Sequence, residues 1–341
     1  MVYVNSLSQI SVQKPLCDEW ATETQSFAGE RLVRCNDPDF KQFFPANIIR
    51  RNSKVLRRAM LVANDALQKS GLQSVDGVFT GSGLGCVEST ETFLQDLVYN
   101  GEEYLKPTPF MQSTHNTIGS VIGIALKCHG YNSTYCQNAV SFESAMLDAY
   151  LQLTSNKISS AFVCGFDEMS PTYHAILCNS GYYESGNTGF AGESAAGAVL
   201  STQKGENAFC SIESIQMVYT KDINAIKQTL QNTLNDAGIT INNISAIMTG
   251  INGNPKNDLA YRQNIENLGI NAPILGFAQL FGECFSASVY GFYTAAYCLK
   301  HNKIYAPLIL NGDTEINNPE YILLYRHSSN KNHTFILLKK C

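Results

Sequence analysis

The apolar positions of this chain switch repeatedly between strand-like and helix-like spacing. Apolar alternation over residues 2–10 predicts a first strand and turn, and an irregular, aromatic-containing stretch then extends to about residue 45. Helical spacing predicts a helix over 52–70, which Gly71 ends. A strand over 75–80, a glycine-rich turn over 81–85 and a helix over 88–100 follow. The first hundred residues therefore alternate strand and helix.

The same alternation continues to the end of the chain. Further strands are predicted over 133–138, 160–165, 245–249, 272–275, 321–325 and 334–340, and further helices over 116–128, 145–153, 224–238, 258–268 and 286–301. The uninterrupted apolar run over 160–165 is typical of a strand buried in a central sheet. A second pass of the pattern begins near residue 192. This organisation predicts an α/β protein, built either as α-β-α-β-α layers or as two doubly wound domains.

We expect two βα-rich halves in one compact body, over residues 1–190 and 191–341. No proline-rich, Gly/Ser-rich or low-complexity segment separates the halves. The formal net charge is −5 and only 16% of the residues are charged, so the chain has no basic field that would attract nucleic acid or an anionic membrane. The amino terminus has no secretory pattern and no apolar run reaches the length of a membrane span, which predicts a cytoplasmic protein.

The eleven cysteines are scattered between Cys17 and Cys341 without any CxxC pair. Most lie inside apolar runs, as Cys164 and Cys298 do, where a thiol behaves as a small hydrophobic group. We therefore predict a reducing compartment, no metal site and no cofactor.

Five stretches, in this order, resemble the β-ketoacyl synthases, which elongate acyl chains on carrier proteins. They are residues 50–85, 107–116, 130–149, 161–168 and 192–196. The third stretch resembles the strand, nucleophile elbow and helix of that family, and the fifth, Gly-Glu-Ser-Ala-Ala, resembles its Gly-Glu-Gly-Ala-Ala strand entry. The resemblance spans nearly the whole chain and implies the family's thiolase-like fold, with α-β-α-β-α layers.

The chemistry of the family requires a cysteine thiolate at the start of the helix after the elbow. The resemblance assigns that position to Ala139, and a methyl group cannot form a thioester. It assigns the first catalytic histidine to the neighbourhood of Gly250 or Asn252 and the second to Glu283, where a carboxylate would repel an enolate. The family's glycine-rich gating loop is replaced by residues 326–333, which contain no glycine. These combined losses predict a protein without independent condensing activity.

In polyketide and aryl-polyene-type systems, an active synthase pairs with a degenerate sister subunit called a chain-length factor. The resemblance implies that role here, in fatty-acid or polyketide-type biosynthesis, with an active synthase and an acyl carrier protein as partners. It places strand 132–138 at the subunit interface and residues 110–116 beside the partner's acyl tunnel. The predicted interface and tunnel-wall residues are Phe110, Met111, Thr114, Asn116, Tyr135, Cys136, Gln137 and Asn138.

Two alternatives remain open at the level of sequence. The chain would be an enzyme on acyl thioesters if Cys136 or Glu283 carried relocated chemistry, or a homodimeric scaffold that binds acyl groups. Glu283 lies in an apolar run, and a salt bridge to an arginine or lysine is the simpler explanation for a charge there. For Gln137 and Asn138, interface hydrogen bonding is the simpler explanation than contact with a substrate carbonyl.

Overall fold

The computed structural model describes residues 1–103, 105–183, 186, 188–312 and 315–341, and a ten-stranded mixed sheet organises them. The sheet consists of two five-stranded units. The strands of the first unit are Val2–Gln9 (β1), Gly77–Gly81 (β2), Tyr131–Tyr135 (β3), Ser160–Asp167 (β4) and Ser194–Ser201 (β5). The next strands in the chain are Cys210–Tyr219 (β6), Ala246–Thr249 (β7), Ile274–Gly276 (β8), Lys303–Ile304 (β9), Ile316–Asn317 (β10), Tyr321–Ser328 (β11) and Asn332–Lys340 (β12). All of these except β9 and β10, which pair with each other, form the second unit.

The two units have the same topology. In the first, β2 pairs in parallel with β3 and β4, while β5 pairs antiparallel with β4 and β1. In the second, β7 pairs in parallel with β8 and β11, while β12 pairs antiparallel with β11 and β6. A short antiparallel ladder, Val2–Val4 against Cys210–Ile212, joins the units. The sheet is therefore an internal repeat whose halves meet at their first strands.

Strand β5 lies after the division at residue 190 that the sequence predicts, but it pairs only with strands of the first unit. The second unit begins with β6 at Cys210. We therefore propose that the halves are divided within residues 202–209.

Helices cover both faces of each unit. They are Ala46–Arg51 (α1), Lys54–Ser70 (α2), Val87–Asn100 (α3), Pro107–Ser113 (α4), Asn116–Ala125 (α5), Ser141–Thr154 (α6), Pro171–Asn179 (α7), Ile223–Asp236 (α8), Pro255–Leu268 (α9), Ala278–Phe281 (α10) and Ser288–Lys300 (α11). α2 and α5 pack on the outer side of the first unit, and α8 and α9 on the outer side of the second. α6 and α11 lie between the units, so almost every side chain of α11 is buried. These layers confirm the predicted fold class.

Most predicted elements are present, with two informative differences. The strand predicted over 133–138 is Tyr131–Tyr135, so residues 136–138 lie outside it. The whole of β6 escaped prediction because its pairing with β12 shifts register around Glu213, which interrupts the apolar alternation between Ile212 and Ile215. Among the described residues, no helix has the length and apolar character that crossing a bilayer would require.

Candidate functional site

A cavity of about 600 Å³ opens where the loops after β3 and β7 meet the β11–β12 hairpin. All three segments follow or end strands at their carboxyl ends, which is the usual location of ligand sites in α/β proteins. The lining residues are Asn138, Ala139, Tyr182, Tyr183, Asn252, Asn254, Lys256, Asn257, Ala260, Glu283, Phe285, Arg326, His327, Ser328, Ser329 and Asn330. Three of the positions that the sequence assigns to catalysis, Ala139, Asn252 and Glu283, thus share one cavity.

Ala139 lies in a tight turn between β3 and α6. Asn138 has a φ of 51°, a left-handed conformation that asparagine tolerates better than most residues. Ser141 fixes the turn, since its Oγ donates to the carbonyl of Asn138 at 2.7 Å and accepts from the amide of Gln137 at 2.9 Å. A Cβ at Gly81, the last residue of β2, would lie 2.5 Å from the amide nitrogen of Phe142. The small residues therefore preserve an elbow that places a methyl group, rather than a thiol, at the cavity wall.

Glu283 is paired with Arg326. Nη2 of Arg326 donates to Oε1 of Glu283 at 2.7 Å, and both side chains are buried. This confirms the salt bridge expected for Glu283. Burial opposes the charged guanidinium, but Glu283, Tyr261 and Glu143 together outweigh that effect and raise the pKa of Arg326 above its ordinary value. Oε2 of Glu283 and Nε of Arg326 have no protein hydrogen-bond partner among the described residues.

Gly250 leaves space for the side chains of Arg326 and Tyr261. A Cβ at position 250 would lie 2.1 Å from Nη1 of Arg326 and 2.5 Å from the hydroxyl of Tyr261. Gly250 and Arg326 also line a smaller cavity of about 20 Å³ together with Glu143, a carboxyl group whose pKa is raised by burial. The volume beside Gly250 is consequently filled by an arginine and a tyrosine from other elements of the second unit.

Asn252 belongs to the turn that begins α9. Its side-chain oxygen accepts from the amide of Asn254 at 3.1 Å and from Nδ2 of Asn257 at 3.0 Å. Asp258 in turn accepts from the backbone amide of Asn252 at 3.0 Å. The residue is therefore held as part of a helix cap while it faces the cavity.

The segment that replaces a glycine-rich loop is a tight β-hairpin. Strands β11 and β12 pair up to Ser328 and Asn332, and Ser329 and Asn330 both have left-handed φ angles, of 53° and 51°. Asn330 is fixed by Nδ2 of Asn264, which donates to its side-chain oxygen at 2.8 Å. Residues 326–328 are thus strand residues that pair on one side, with residues 332–334 of β12.

His327 is a cavity residue that sequence reasoning missed. Its ring stacks on Tyr261 with centroids 3.9 Å apart, and its backbone amide donates to the hydroxyl of the same tyrosine at 3.0 Å. The residue is 4% exposed, and neither ring nitrogen has a hydrogen-bond partner among the described residues. Burial, followed by the charge of Arg326, lowers the pKa of His327 to about 3. No motif marks it, because only the β11–β12 pairing brings it to the cavity.

Of the other elbow residues, Asn138 alone lines the cavity, and Cys136 and Gln137 do not. Cys136 is exposed as a residue, while burial of its sulfur raises the pKa of the thiol and so reduces the thiolate fraction. Oε1 of Gln137 accepts a hydrogen bond from Ser144. Within the described residues, no cluster of three or more His, Cys, Asp or Glu side chains could bind a metal ion.

Five of the residues predicted for the interface lie on a different surface, around the edge strand β3, whereas Asn138 lines the cavity. Phe110 and Met111 project from α4 and are 56% and 68% exposed. Thr114 and Asn116 are exposed at the α4–α5 junction, where the hydroxyls of Thr114 and Thr117 are 2.8 Å apart. The hydroxyl of Tyr135 on β3 donates to Asp148 at 2.6 Å.

The same surface carries further exposed apolar side chains. α3 packs on α4, α4 on α5, and α5 on β3. These four elements present Leu94, Val98, Tyr99, Phe110, Met111, Ile124 and Tyr131 to solvent, a set that we call the β3 face. Contiguous exposed apolar side chains on a folded protein commonly mark a contact surface.

Comparison with known proteins gives a consistent result. Residues 19–240, more than half of the chain, match the family model described as β-ketoacyl synthase, N-terminal domain. A search of curated protein sequences found no match.

Solved structures similar to this chain include the ishigamide ketosynthase/chain length factor, with a TM-score of 0.84 and 14% identity. A β-ketoacyl synthase from Burkholderia phymatum matches with a TM-score of 0.86 and 15% identity. The TM-score is 0.78 and the identity 14% for a structure described as a type II PKS acyl-carrier protein in complex with its ketosynthase bound to the hexaketide. Each comparison covers 100% of this chain and 99% of the other. At identities this low, the TM-scores establish a common fold and nothing finer.

Proposed function

The chain belongs to the β-ketoacyl synthase family, and we propose that it is a non-condensing, chain-length-factor-like subunit. It pairs with an active β-ketoacyl synthase in fatty-acid or polyketide-type biosynthesis, and its β3 face shapes the acyl tunnel of that partner. A carrier protein delivers the growing chain to the synthase subunit. This chain has no condensing activity of its own.

The observation that carries the proposal is the filled space beside Gly250. Condensation by this family requires hydrogen-bond donors that stabilise an enolate or oxyanion. Here Nη1 of Arg326 occupies the space into which a side chain at position 250 would extend, and Glu283 neutralises the guanidinium. Ala139 offers no nucleophile at the elbow. The nucleophilic cysteine and the two histidines are absent from the positions that the family resemblance assigns to them.

Two further observations support a partner subunit. The β3 face combines exposed aromatic and aliphatic side chains with a strand at the end of the sheet. An edge strand has unpaired backbone groups that another chain can pair with. The similar structures also include proteins described as a ketosynthase/chain length factor and as a ketosynthase in complex with an acyl-carrier protein.

The relocated-chemistry alternative has less support. Cys136 does not line the cavity, and burial raises the pKa of its thiol. Glu283 is engaged by Arg326. A thiol-reactive acyl probe provides the test: the proposal predicts no saturable labelling of Cys136, and labelling that is lost in Cys136→Ala would favour an enzyme.

Coexpression tests the proposed role directly. The chain is purified alone and together with an active β-ketoacyl synthase encoded beside it, and product length is measured with and without the chain. We expect a stable heterodimer and a change in product length. A homodimer that ignores the synthase, or identical products in both reactions, would contradict the proposal and favour the homodimeric scaffold.

A further inference from the structure

We propose that Asp148 on α6 selects the partner of strand β3. Its carboxylate opposes pairing with a second copy of this chain and favours a synthase that presents a lysine or arginine beside the matching strand. The inference rests on the proposed function, because it concerns the chain that pairs with β3. It goes beyond that function by naming a residue that decides between two partners.

Three side chains fix Asp148 beside the edge strand. Its Oδ2 accepts hydrogen bonds from the hydroxyls of Tyr131 at 2.9 Å and Tyr135 at 2.6 Å, and its Oδ1 accepts from Nε2 of Gln152 at 3.1 Å. Burial, followed by the hydrogen bond to Asp148, raises the pKa of Tyr135, so its hydroxyl remains a donor. Asp148 itself is half-buried. The carboxylate therefore cannot turn away from β3 without losing these hydrogen bonds.

The two tyrosines also show where the carboxylate lies along the strand. Tyr131 and Tyr135 are the first and last residues of β3, and side-chain alternation places them, with Ser133, on the face that α6 covers. Because both ends of the strand reach one carboxylate, Asp148 lies over its middle. Leu151, on the same side of α6, is 53% exposed, so the chain itself does not fully cover this side of the helix.

A second copy of the chain would bring an identical carboxylate to the same place. Two copies of one edge strand that pair about a two-fold axis are antiparallel, and pairing over all five residues of β3 centres the axis on Ser133. Such an axis is perpendicular to the sheet, so both α6 helices lie on the same face. The two Asp148 carboxylates then face each other across the axis. Like charges in facing positions on paired strands are destabilising.

The charges of the chain do not offset this repulsion. Neither β3 nor α6 contains a lysine or arginine. The charged residues of the segment 94–135, which carries the β3 face, are Asp96, Glu102, Glu103, Lys106 and Lys127. A second copy would therefore add to an excess of negative charge, whereas a lysine or arginine beside the matching strand of a different chain would give Asp148 a counter-ion. Complementary charge of this kind gives an interface its specificity.

A mixture of the wild type with Asp148→Lys tests the symmetry argument without the synthase. In the mixed pair, a lysine faces Asp148 and attraction replaces repulsion. We expect the mixed pair to associate about tenfold more tightly than the wild type does with itself. Asp148→Lys alone should not gain, because its two lysines repel each other. Sedimentation velocity with one of the two species labelled fluorescently measures the association of the mixed pair.

Asp148→Asn removes the charge but retains an oxygen that accepts from the tyrosine hydroxyls. We expect about tenfold stronger self-association and about tenfold weaker association with the synthase. Screening at about 0.5 M NaCl should remove most of both differences. Asp236→Asn is the matched control, because Asp236 on α8 also accepts from two side chains of a strand, Ser214 at 2.7 Å and Gln216 at 3.0 Å. It should change neither association.

No gain in the mixed pair over the wild type, or equal effects of Asp148→Asn and Asp236→Asn, would overturn the proposal. If Asp148→Lys does not fold, Asp148→Asn decides, and unchanged self-association of that variant would equally overturn it. Heterodimer formation by the wild-type chain is measured in parallel. A heterodimer that is insensitive to Asp148 contradicts this inference alone, whereas the absence of any heterodimer contradicts the proposed function.

Discussion

The two five-stranded units end in equivalent edge strands, but only one of these strands is covered by a further segment of the chain. In the second unit, residues 309–311 cover β8: the amide of Leu310 donates to Ile274 at 2.8 Å, and the amide of Ile274 donates to the side chain of Asn311 at 2.6 Å. In the first unit, β3 has the same topological place, and no strand of the described chain lies outside it. One repeat is closed by its own chain, and the other is left available to a partner.

The units also contribute differently to the cavity. The first supplies the turn with Asn138 and Ala139, which forms part of the cavity wall. The second supplies Lys256, Glu283, Arg326 and His327, which include all the charged lining residues among those described. The comparison indicates a division of labour, with the exposed contact surface in the first unit and the charged groups of the cavity in the second. The following predictions test that division.

The largest effect should come from breaking the buried ion pair of the second unit. Arg326→Leu leaves Glu283 buried without a counter-ion, and we expect the free energy of unfolding to fall by about 3–5 kcal/mol. Urea denaturation measures this change. The matched control is the double variant with Arg326→Leu and Glu283→Leu, which should recover most of the loss because replacement of both charges removes the unpaired group. A single variant as stable as the wild type would contradict the structural role of the pair.

Gly250→Ala tests the fit between the loop after β7 and Arg326. The added Cβ collides with Nη1 of Arg326 and the hydroxyl of Tyr261, and overpacking of this kind costs about 1–3 kcal/mol. In the Arg326→Leu background the cost should be smaller, because one of the two colliding groups is gone. A double-mutant cycle measures this coupling. Strict additivity of the two substitutions would show that they do not share the space.

The pH dependence of stability tests the environment of His327. The unfolded chain binds a proton at this residue near pH 6.5, while the folded chain keeps the imidazole neutral down to about pH 3. Because the unfolded state then binds more protons, stability falls as the pH falls through this window. Between pH 6.5 and 5 the loss is about 2 kcal/mol.

His327→Phe should remove that contribution. The difference between the two stability curves isolates this histidine, because all other titrating groups are shared. Parallel curves for the wild type and the variant would contradict the assignment.

The smallest effect is expected at the β3 face of the first unit. Ile124 on α5 is 79% exposed, and Ile124→Asp replaces its apolar side chain with a charged one. We expect this substitution to weaken association with the proposed synthase partner about tenfold, or by about 1.4 kcal/mol. Stability should change by no more than about 0.5 kcal/mol. Leu259→Asp, on an exposed leucine of α9 in the second unit, is the matched control and should leave association unchanged. Equal weakening by both variants would assign the interface to neither face.

Sequence patterns predicted the alternation of elements and the layered fold because buried strands and amphipathic helices have distinct periodicities. Helix α2 and its end at Gly71, which has a φ of 74°, follow directly from that pattern. The sequence pattern does not predict β6, because a register shift interrupts the alternation of apolar and polar residues along this strand. Strand 133–138 was drawn too long, since the turn around Asn138 depends on Ser141 and the close approach of Gly81.

The candidate site was predicted only in part for a related reason. Ala139 and Glu283 could be found by their place in local motifs, and the structure brings both to one cavity. Arg326 and His327 lie more than forty residues from Glu283 in the chain, and no local pattern indicates that β11 passes beside it. Tertiary pairing decides which side chains meet, and the chain does not encode that pairing in any short segment.

The arginine beside Gly250 also limits how this protein could change over evolutionary time. A histidine at position 250 would collide with Arg326, and loss of Arg326 would leave Glu283 buried without a counter-ion. A cysteine at position 139 would lack the two histidines that the family's reaction requires. Each substitution toward a condensing enzyme is therefore unfavourable until the others are present. We expect the proposed non-condensing state to be separated from condensing activity by strong epistasis, so that no single substitution confers activity and all four positions would have to be redesigned together.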